Sequence, residues 1–565
     1  MKPIIYQVLP RLFGNKTKGT NIVGGTLEEN GCGKLSAFTT TVLRRIKSEG
    51  YTHIWYTGLL RHATQTDYSR LGLPLNHPDI VKGRAGSPYA IVDYYDIDPD
   101  LADEPAERQQ AFDDLVARTH RAGLKVVIDF VPNHVARQYH SLAQPANVEG
   151  LGEGDDPSQA FSPQNNFYYL PNERLHTDDF APQSDYHEEP ARVTGNDCFH
   201  AYPSRNDWYE TVKLNYGVDY QGGGQTHFEP VPATWLKMTQ ILLHWASRGV
   251  DAFRCDMAEM VPVAFWHYAI GEVKRRFPQV LFVAEVYNPD RYRDYIHQGG
   301  FDYLYDKVGL YDTLRAIIEG HKWAADITPC WQATDDIADH MLHFLENHDE
   351  QRIASDFFAG NAEAGLPAFF VAATMNRSAV MVYCGQEVGE PGMEAEGFSG
   401  RDGRTTIFDY WRVEKLDRLA HGLSYLHRDE RTLHKLYAII TQLCAENDIV
   451  REGGFYDLMY ANFDHPDTFD AARQYAFLRT LPQVGALLCV ANFSPETRRV
   501  DIRIPQHAFD YAQLQAGRYE VEDLISQEIV PLSVQPDGFT RVTLSGYGFA
   551  MLALPVSQKA EKQAQ

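Results

Sequence analysis

Three carboxylates stand at or just beyond the ends of short apolar runs in this sequence. Asp256, Glu285 and Asp349 each follow a run of β-strand length. Because burial of an isolated charge is costly, strands that repeatedly end in charged residues are expected to present them to a cleft. One such aspartate alone is more often a turn residue or a helix cap. Three together need a reason, and a shared cleft would supply one.

Other polar residues accompany these carboxylates. Arg254 precedes Asp256 by two positions, His348 directly precedes Asp349, and a further strand end carries His134. Four segments contain all of these residues: Asp129–His134, Gly249–Asp256, Phe282–Tyr287 and Phe344–Asp349. Each segment lies where a predicted strand passes into a loop.

The elements that must position these segments alternate along the chain. From residue 1 to about residue 450, short apolar strands alternate with amphipathic helices, which indicates parallel strands joined by helical crossovers. Eight strands are predicted, the number that closes a (β/α)8 TIM barrel. They are Pro3–Val8, Thr52–Tyr56, Leu124–Phe130, Val250–Asp256, Val280–Val286, Phe301–Tyr305, Met341–Leu345 and Ser378–Cys384. Predicted helices include Leu35–Ser48, Ala111–Ala122, Trp235–Ser247 and Pro262–Phe277.

Two regions depart from this alternation. Residues 135–232 are rich in Gly, Asn, Asp, Pro and Tyr, and they leave the third strand at the face where barrel enzymes build their sites. After residue 451 the pattern becomes that of an all-β sandwich. Its predicted strands are Phe455–Phe463, Gln474–Leu481, Gly485–Asn492, Arg499–Ile504 and Thr540–Leu554. We therefore expect a catalytic barrel (1–134 and 233–451), an inserted subdomain (135–232), a C-terminal β-sandwich (452–557) and a disordered tail (558–565).

The charge balance limits the class of partner. The chain has 52 Lys and Arg against 76 Asp and Glu, a net charge of −24, which disfavours nucleic acid and membrane surfaces and suits a neutral substrate such as a sugar. Seven cysteines without a CxxC pair are expected to be free thiols in a reducing compartment. The first apolar run is too short for a signal peptide, so a cytoplasmic location is predicted, although a secreted chain with its leader removed would look the same.

The four segments resemble the four sequence regions of the α-amylase family, glycoside hydrolase family 13, in order and on the corresponding strands. The resemblance implies that Asp256 is the nucleophile, Glu285 the general acid and base, and Asp349 the carboxylate that grips the sugar hydroxyls. It implies a retaining mechanism, which needs the nucleophile and the acid about 5–5.5 Å apart.

The resemblance also implies substrate-binding residues. His134 and His348 match the histidines that hydrogen-bond the sugar ring at subsite −1, and Tyr89 matches the tyrosine that stacks there. Arg254 matches the arginine that keeps the nucleophile ionised, and Asp129 is expected to pair with it.

Some positions depart from the family pattern or stay open. Many α-amylases have a Lys-His pair shortly after the nucleophile, where this chain has Met257–Met260. The Lys-Leu-Asn segment that begins at Lys213 resembles the form found in the neopullulanase and cyclomaltodextrinase branch of the family. No cofactor is required, although Asn133 matches a calcium-ligand position and is otherwise a turn residue. Glu259 and Tyr287 either line the plus subsites or cover the barrel mouth.

The function that the resemblance implies is hydrolysis of α-1,4-glucosidic bonds in maltooligosaccharides or starch-like glucans by double displacement. The alternative is an α-glucanotransferase or a transglycosylating cyclomaltodextrinase- or neopullulanase-like enzyme. A non-catalytic glucan-binding protein or transporter partner is disfavoured, because all three carboxylates are present. Linkage, chain length and oligomeric state stay open at this level.

Overall fold

The computed structural model describes residues 2–557, so the predicted disordered tail lies outside the described residues. Eight parallel strands, β1 to β8, close into a barrel in chain order, and β8 pairs with β1. They are β1 Ile4–Val8, β2 His53–Tyr56, β3 Lys125–Phe130, β4 Ala252–Cys255, β5 Leu281–Ala284, β6 Tyr303–Tyr305, β7 Met341–His343 and β8 Ala379–Tyr383. The predicted TIM barrel is confirmed.

The barrel is filled by every second residue of its strands. Ile5, Trp55, Val127 and Val283 are among the buried side chains of this interior cluster. Because successive side chains of a strand point to opposite faces, the alternate set packs against the surrounding helices. The α-helices of residues 2–452 are Leu27–Asn30, Thr40–Ser48, Arg108–Arg121, Ala233–Ser247, Val263–Arg276, Asp312–Ile318, Ile327–Ala333, Leu366–Thr374, Glu414–His421, Arg428–Glu446 and Asp448–Glu452.

Two local predictions are corrected. The helix predicted at Leu35–Ser48 is a 3₁₀ turn at Leu35–Ala37 and a separate α-helix from Thr40, because the Thr39 side chain caps the α-helix by accepting from Val42 N. Strands β4 and β5 end one residue before the carboxylates, so Asp256 and Glu285 lie just outside the ladder.

The region 135–232 contains short antiparallel pairs and a small apolar cluster that also includes Ile80. The pairs are His134–Ala136 with Thr211–Lys213, Tyr169–Leu170 with Ala191–Arg192, and Val218–Asp219 with Gln225–Thr226. The first pair opposes His134 to Lys213, so it brings the end of β3 against a residue about eighty positions away.

The C-terminal region contains a six-stranded antiparallel sheet and a two-stranded one. The six strands, in spatial order, are Gly454–Asp457, Gln474–Leu481, Gly485–Asn492, Phe549–Leu554, Gly517–Asp523 and Glu528–Val534. The two-stranded sheet pairs Arg498–Arg503 with Phe539–Leu544. One helix, Gln506–Tyr511, lies in the chain between Arg498–Arg503 and Gly517–Asp523. The all-β prediction is confirmed.

Two strand predictions in this region are wrong in detail. The single strand predicted at Thr540–Leu554 is two strands in different sheets, because the chain turns at Ser545–Gly548, where Tyr547 has φ +52°. The first strand ends at Asp457 rather than Phe463, because a 3₁₀ turn follows at Met459–Ala461.

Arg479 joins the C-terminal sheet to the barrel. Its buried guanidinium donates to the carbonyl oxygens of Thr374, at the end of a barrel helix, and of Val450 and Gly453. Within the described residues all of its acceptors are main-chain carbonyls, and burial lowers its pKa to about 10. Among residues 2–557 no helix has both the length and the apolar character needed to cross a bilayer.

Candidate active site

The carboxyl ends of β4 and β5 deliver the first two carboxylates side by side. Asp256 N donates to Phe130 O at 2.9 Å, and Glu285 N donates to Cys255 O at 3.1 Å. Each carboxylate residue is thereby held by one last main-chain hydrogen bond to the neighbouring strand. Neither main chain can turn away from the barrel mouth without breaking that bond.

Arg254 joins the two carboxylates from below. Its Nη1 donates to Asp256 Oδ1 at 2.7 Å, and its Nη2 lies 2.8 Å from Glu285 Oε2, an ionic contact whose geometry is not that of an aligned hydrogen bond. Its Nε donates to the hydroxyl of Tyr305 at 3.2 Å. The guanidinium is buried, so both carboxylates share one cation in a poorly solvated place.

Burial raises the pKa of Asp256, and the neighbouring Glu285 adds to that rise, whereas Arg254 opposes it. Asp129 contributes a further acidic group beneath the site. It lies 3.7 Å from Arg254 Nη1 and accepts from Trp55 Nε1 at 3.2 Å, and burial raises its pKa to about 6. The single guanidinium therefore offsets the repulsion among several carboxyl groups.

Tyr89 and His348 form a stacked pair at the other side of the site. Their ring centroids are 5.1 Å apart at 20°, and the Tyr89 hydroxyl lies 2.7 Å from His348 Nε2. Asp349 Oδ2 is 3.1 Å from the same nitrogen, and 43% of the Asp349 side chain is exposed, so this carboxylate faces the cavity.

Both histidines are neutral at physiological pH. Burial lowers the pKa of His134 to about 3, and the cations of Lys213 and Lys82 lower it further. Burial also lowers the pKa of His348 to about 3, with Arg254 adding to the effect. A neutral imidazole has one N–H donor and one acceptor nitrogen, which suits contacts with sugar hydroxyls.

One cavity of about 230 Å³ brings the predicted residues together. Tyr89, His134, Asp256, Glu285, His348 and Asp349 all line it, whereas Arg254 lies beneath its floor. Sequence reasoning missed several other lining residues, because they lie outside the four segments. These are Lys82, Ser87, Trp208, Glu210, Thr211, Met257, Ile407 and Phe408. Three of them, Trp208, Glu210 and Thr211, belong to the region 135–232. The position of that region after β3 was the available signal that it contributes to the site.

The carboxylate of Glu285 is held at both oxygens. Met257 N donates to Oε2 at 2.7 Å, and the Tyr287 hydroxyl donates to Oε1 at 2.5 Å. Met257 has φ +42° and ψ +43°, a left-handed conformation that is unfavourable for a residue other than glycine. Such backbone strain is typical of functional sites.

The surroundings of Asn133 do not fit a calcium ion. Asn133 Oδ1 accepts from Lys213 Nζ at 2.9 Å, and its Nδ2 donates to Gly195 O at 2.7 Å. Lys213 Nζ also lies 2.6 Å from Asp197 Oδ1. The only amide oxygen that Asn133 offers thus faces an ammonium group, which would repel a divalent cation.

In the described part of the chain, the side chains of His77, Asp79 and Asp185 lie close enough together to be considered as a metal site. His77 lies 2.9 Å from Asp185 through Nε2 and 3.8 Å from Asp79 through Nδ1. The two nitrogens of one imidazole face different carboxylates, and the Asp185 side chain is 97% exposed. The arrangement is that of surface ion pairs.

A family model and several distant relatives match this chain. The family model described as "Alpha amylase, catalytic domain" matches residues 7–451. Alpha-amylase 3 of Dictyoglomus thermophilum is 22% identical over 369 residues, which are 62% of this chain and 64% of that protein. Neopullulanase 2 of Thermoactinomyces vulgaris is 23% identical over 369 residues, 62% of this chain and 54% of that protein.

The chain thus spans less than two thirds of the length of these relatives. Among solved structures, a noncanonic maltogenic alpha-amylase, AmyB, from Thermotoga neapolitana superposes with a TM-score of 0.64 at 20% identity. The superposition covers 98% of this chain and 99% of that one. At this identity the likeness supports the fold.

Proposed function

The chain belongs to the alpha-amylase family and is a glycoside hydrolase, and from that premise we propose that it cleaves α-1,4-glucosidic bonds of maltooligosaccharides or starch-like α-glucans with retention. The observation that carries the proposal is the pairing of Asp256 and Glu285 on one buried guanidinium at the cavity floor. Retaining enzymes need two carboxyl groups close enough for one to attack the sugar directly.

In the first step a carboxylate oxygen of Asp256 attacks the anomeric carbon. The bond to the leaving oxygen breaks, and that oxygen takes the proton of Glu285. In the second step the ionised Glu285 takes a proton from water. The resulting hydroxide attacks the anomeric carbon and breaks the ester to Asp256. Two displacements on one carbon restore the original α configuration.

The remaining cavity groups hold the sugar of the cleaved bond. Asp349 faces the cavity and accepts hydrogen bonds from sugar hydroxyls, while the neutral rings of His134 and His348 offer N–H groups. Tyr89, fixed by its stacking on His348, presents a ring against the pyranose. Arg254 keeps the two reacting carboxyl groups together and favours the ionised form of Asp256.

We also propose that Lys213 occupies the place of a calcium ion. Its contacts with Asn133 and Asp197 are those that a cation would make there.

We propose a cytoplasmic location as well. This part of the proposal rests on the seven cysteines, all of which are free thiols. Cell fractionation tests the location.

A second candidate is transfer of the glycosyl group to a sugar rather than to water. Besides Tyr89, the aromatic side chains of Trp208, Tyr287 and Phe408 line the cavity that contains the acid. Aromatic faces bind sugar acceptors and exclude water, and water exclusion favours transfer over hydrolysis. Products longer than the substrate in digests of maltotetraose would favour this candidate.

The test of the proposed function is the anomer of the first product. Proton NMR of a fresh maltotetraose digest should show the α-anomer before mutarotation, and an initial β-anomer would overturn the retaining mechanism. Parallel digests of starch, pullulan and cyclodextrin define the substrate class. If the protein cleaves none of these α-glucans, the proposed substrate class is rejected.

A further inference from the structure

The contacts of Glu285 distinguish its two carboxylate oxygens. Oε2 lies 2.7 Å from Met257 N and 2.8 Å from Arg254 Nη2. Both of those groups are donors, so a proton on Oε2 would face two other hydrogens. Oε1 contacts the hydroxyl of Tyr287 at 2.5 Å, and a hydroxyl, unlike an N–H group, can accept a hydrogen bond as well as donate one. Of the two oxygens, Oε1 is therefore the one that can take up and release a proton.

The position of Tyr287 is maintained by its own loop. Glu259 Oε2 accepts from the main-chain N–H groups of Tyr287 and Asn288, each at 3.1 Å. The Tyr295 hydroxyl donates to the main-chain oxygen of Glu259 at 3.0 Å. Glu259 therefore holds the loop in place, whereas Tyr287 itself lines the cavity.

The Tyr287 hydroxyl keeps its proton throughout. Burial raises its pKa, and the adjacent carboxylate of Glu285 raises it further. A phenol that does not ionise can donate to a carboxylate, and a donated hydrogen bond stabilises the charged form of the acceptor. The groups that face Glu285 or share its field are Arg254, Asp256, Tyr287, Tyr305 and His348.

We propose that Tyr287 is a positioning residue of the acid and base: its hydroxyl holds Oε1 of Glu285 towards the reacting oxygen and stabilises the carboxylate that forms when the leaving group takes the proton. This inference rests on the proposed double displacement. The ionised Glu285 that ends the first step is the base of the second step. Tyr287 therefore favours release of the proton first and prepares the carboxylate for water afterwards.

The test compares Tyr287→Phe with Tyr292→Phe. Tyr292 is buried in the segment that follows the same strand, and its hydroxyl has no hydrogen-bond partner among residues 2–557, so Tyr292→Phe should behave as the wild type. In Tyr287→Phe the carboxylate of Glu285 loses the hydrogen bond at Oε1. Because that bond stabilises the charge that forms as the leaving group takes the proton, kcat/KM for maltotetraose should fall by about tenfold.

A second substrate separates positioning from damage to the fold. α-Maltosyl fluoride hardly needs a protonated leaving group, so its first step should be nearly unchanged in Tyr287→Phe. Its second step should slow by about tenfold, because the base is displaced. The glycosyl ester on Asp256 should then accumulate and appear as added mass. Equal losses with both substrates and no added mass would show that Tyr287 is only structural.

Glu285→Gln distinguishes failure of this inference from failure of the proposed function. If Glu285→Gln abolishes maltotetraose cleavage while Tyr287→Phe cleaves maltotetraose as fast as the wild type, only the role of Tyr287 is overturned. If Glu285→Gln retains wild-type cleavage, the proposed acid is wrong, and the inference about Tyr287 falls with it.

Discussion

Lys213 places its ammonium nitrogen 2.9 Å from the side-chain oxygen of Asn133, at the position where the family resemblance allowed a calcium ion. We expect EDTA to leave both activity and melting temperature unchanged. Lys213→Met should lower the free energy of unfolding by about 1–3 kcal/mol, because the buried Asn133 oxygen loses its donor. A drop in melting temperature with EDTA that calcium reverses would contradict the assignment.

Asp256→Asn tests the nucleophile. Deleting the covalent step should reduce kcat by several orders of magnitude without unfolding the barrel, since the amide keeps the size of the side chain. Steady-state kinetics on maltotetraose and circular dichroism measure the two effects. A folded variant that retained a tenth of wild-type activity would exclude Asp256 as the nucleophile.

Glu285→Gln tests the acid. A glucose leaving group needs a proton, whereas fluoride barely does, so maltooligosaccharide cleavage should nearly vanish while α-maltosyl fluoride still reacts. The second step then lacks its base, and an ester on Asp256 should accumulate and be visible by mass spectrometry. Asp256→Asn should show neither the fluoride activity nor the adduct. Equal loss of both substrates without an adduct would make Glu285 a binding or structural residue.

The region 135–232 should be protected by ligand. Trp208, Glu210 and Thr211 line the cavity that contains the carboxylates. We expect maltooligosaccharide bound to Asp256→Asn to slow amide hydrogen exchange around these residues. Protection confined to the barrel loops would show that the region does not contact substrate.

Arg479 should stabilise the junction between the barrel and the C-terminal sheet. Arg479→Met leaves the buried carbonyls of Thr374 and Gly453 without this donor, and we expect a loss of about 3 kcal/mol or more in the free energy of unfolding. Urea denaturation measures it. Arg498→Met, on an exposed arginine of the neighbouring sheet, is the matched control and should change stability little. Equal effects of the two substitutions would contradict the role of Arg479.

Most of the barrel and of the site could be predicted from local patterns. Strands such as Lys125–Phe130 and Ala379–Tyr383 are buried apolar runs between helical segments, and that alternation indicates a parallel sheet, which eight strands can close into a barrel. In a barrel the carboxyl ends of all strands meet at one face. The order of strands therefore implies that Asp256, Glu285 and Asp349 converge, whatever the details of the loops.

The C-terminal strands were harder to predict. Gly517–Asp523 carries charged residues at its exposed positions, so its apolar pattern is weak. The turn at Ser545–Gly548 is marked by two glycines, Gly546 and Gly548, but these do not show that the strands on either side belong to different sheets. Which of two sheets a strand joins depends on pairing partners far away in the chain. The sequence around Thr540 does not contain that information.

The sequence by itself determined the family, the barrel and the carboxylates and histidines at its mouth, because these follow from periodicity and from short motifs at strand ends. Only the tertiary structure decided how those residues act on one another. Arg254 spans two carboxylates from adjacent strands, Lys213 reaches Asn133 across eighty residues, and Tyr287 turns back onto Glu285. Such contacts depend on distances of a few ångströms between side chains on separate elements, and local sequence constrains element type far more strongly than those distances.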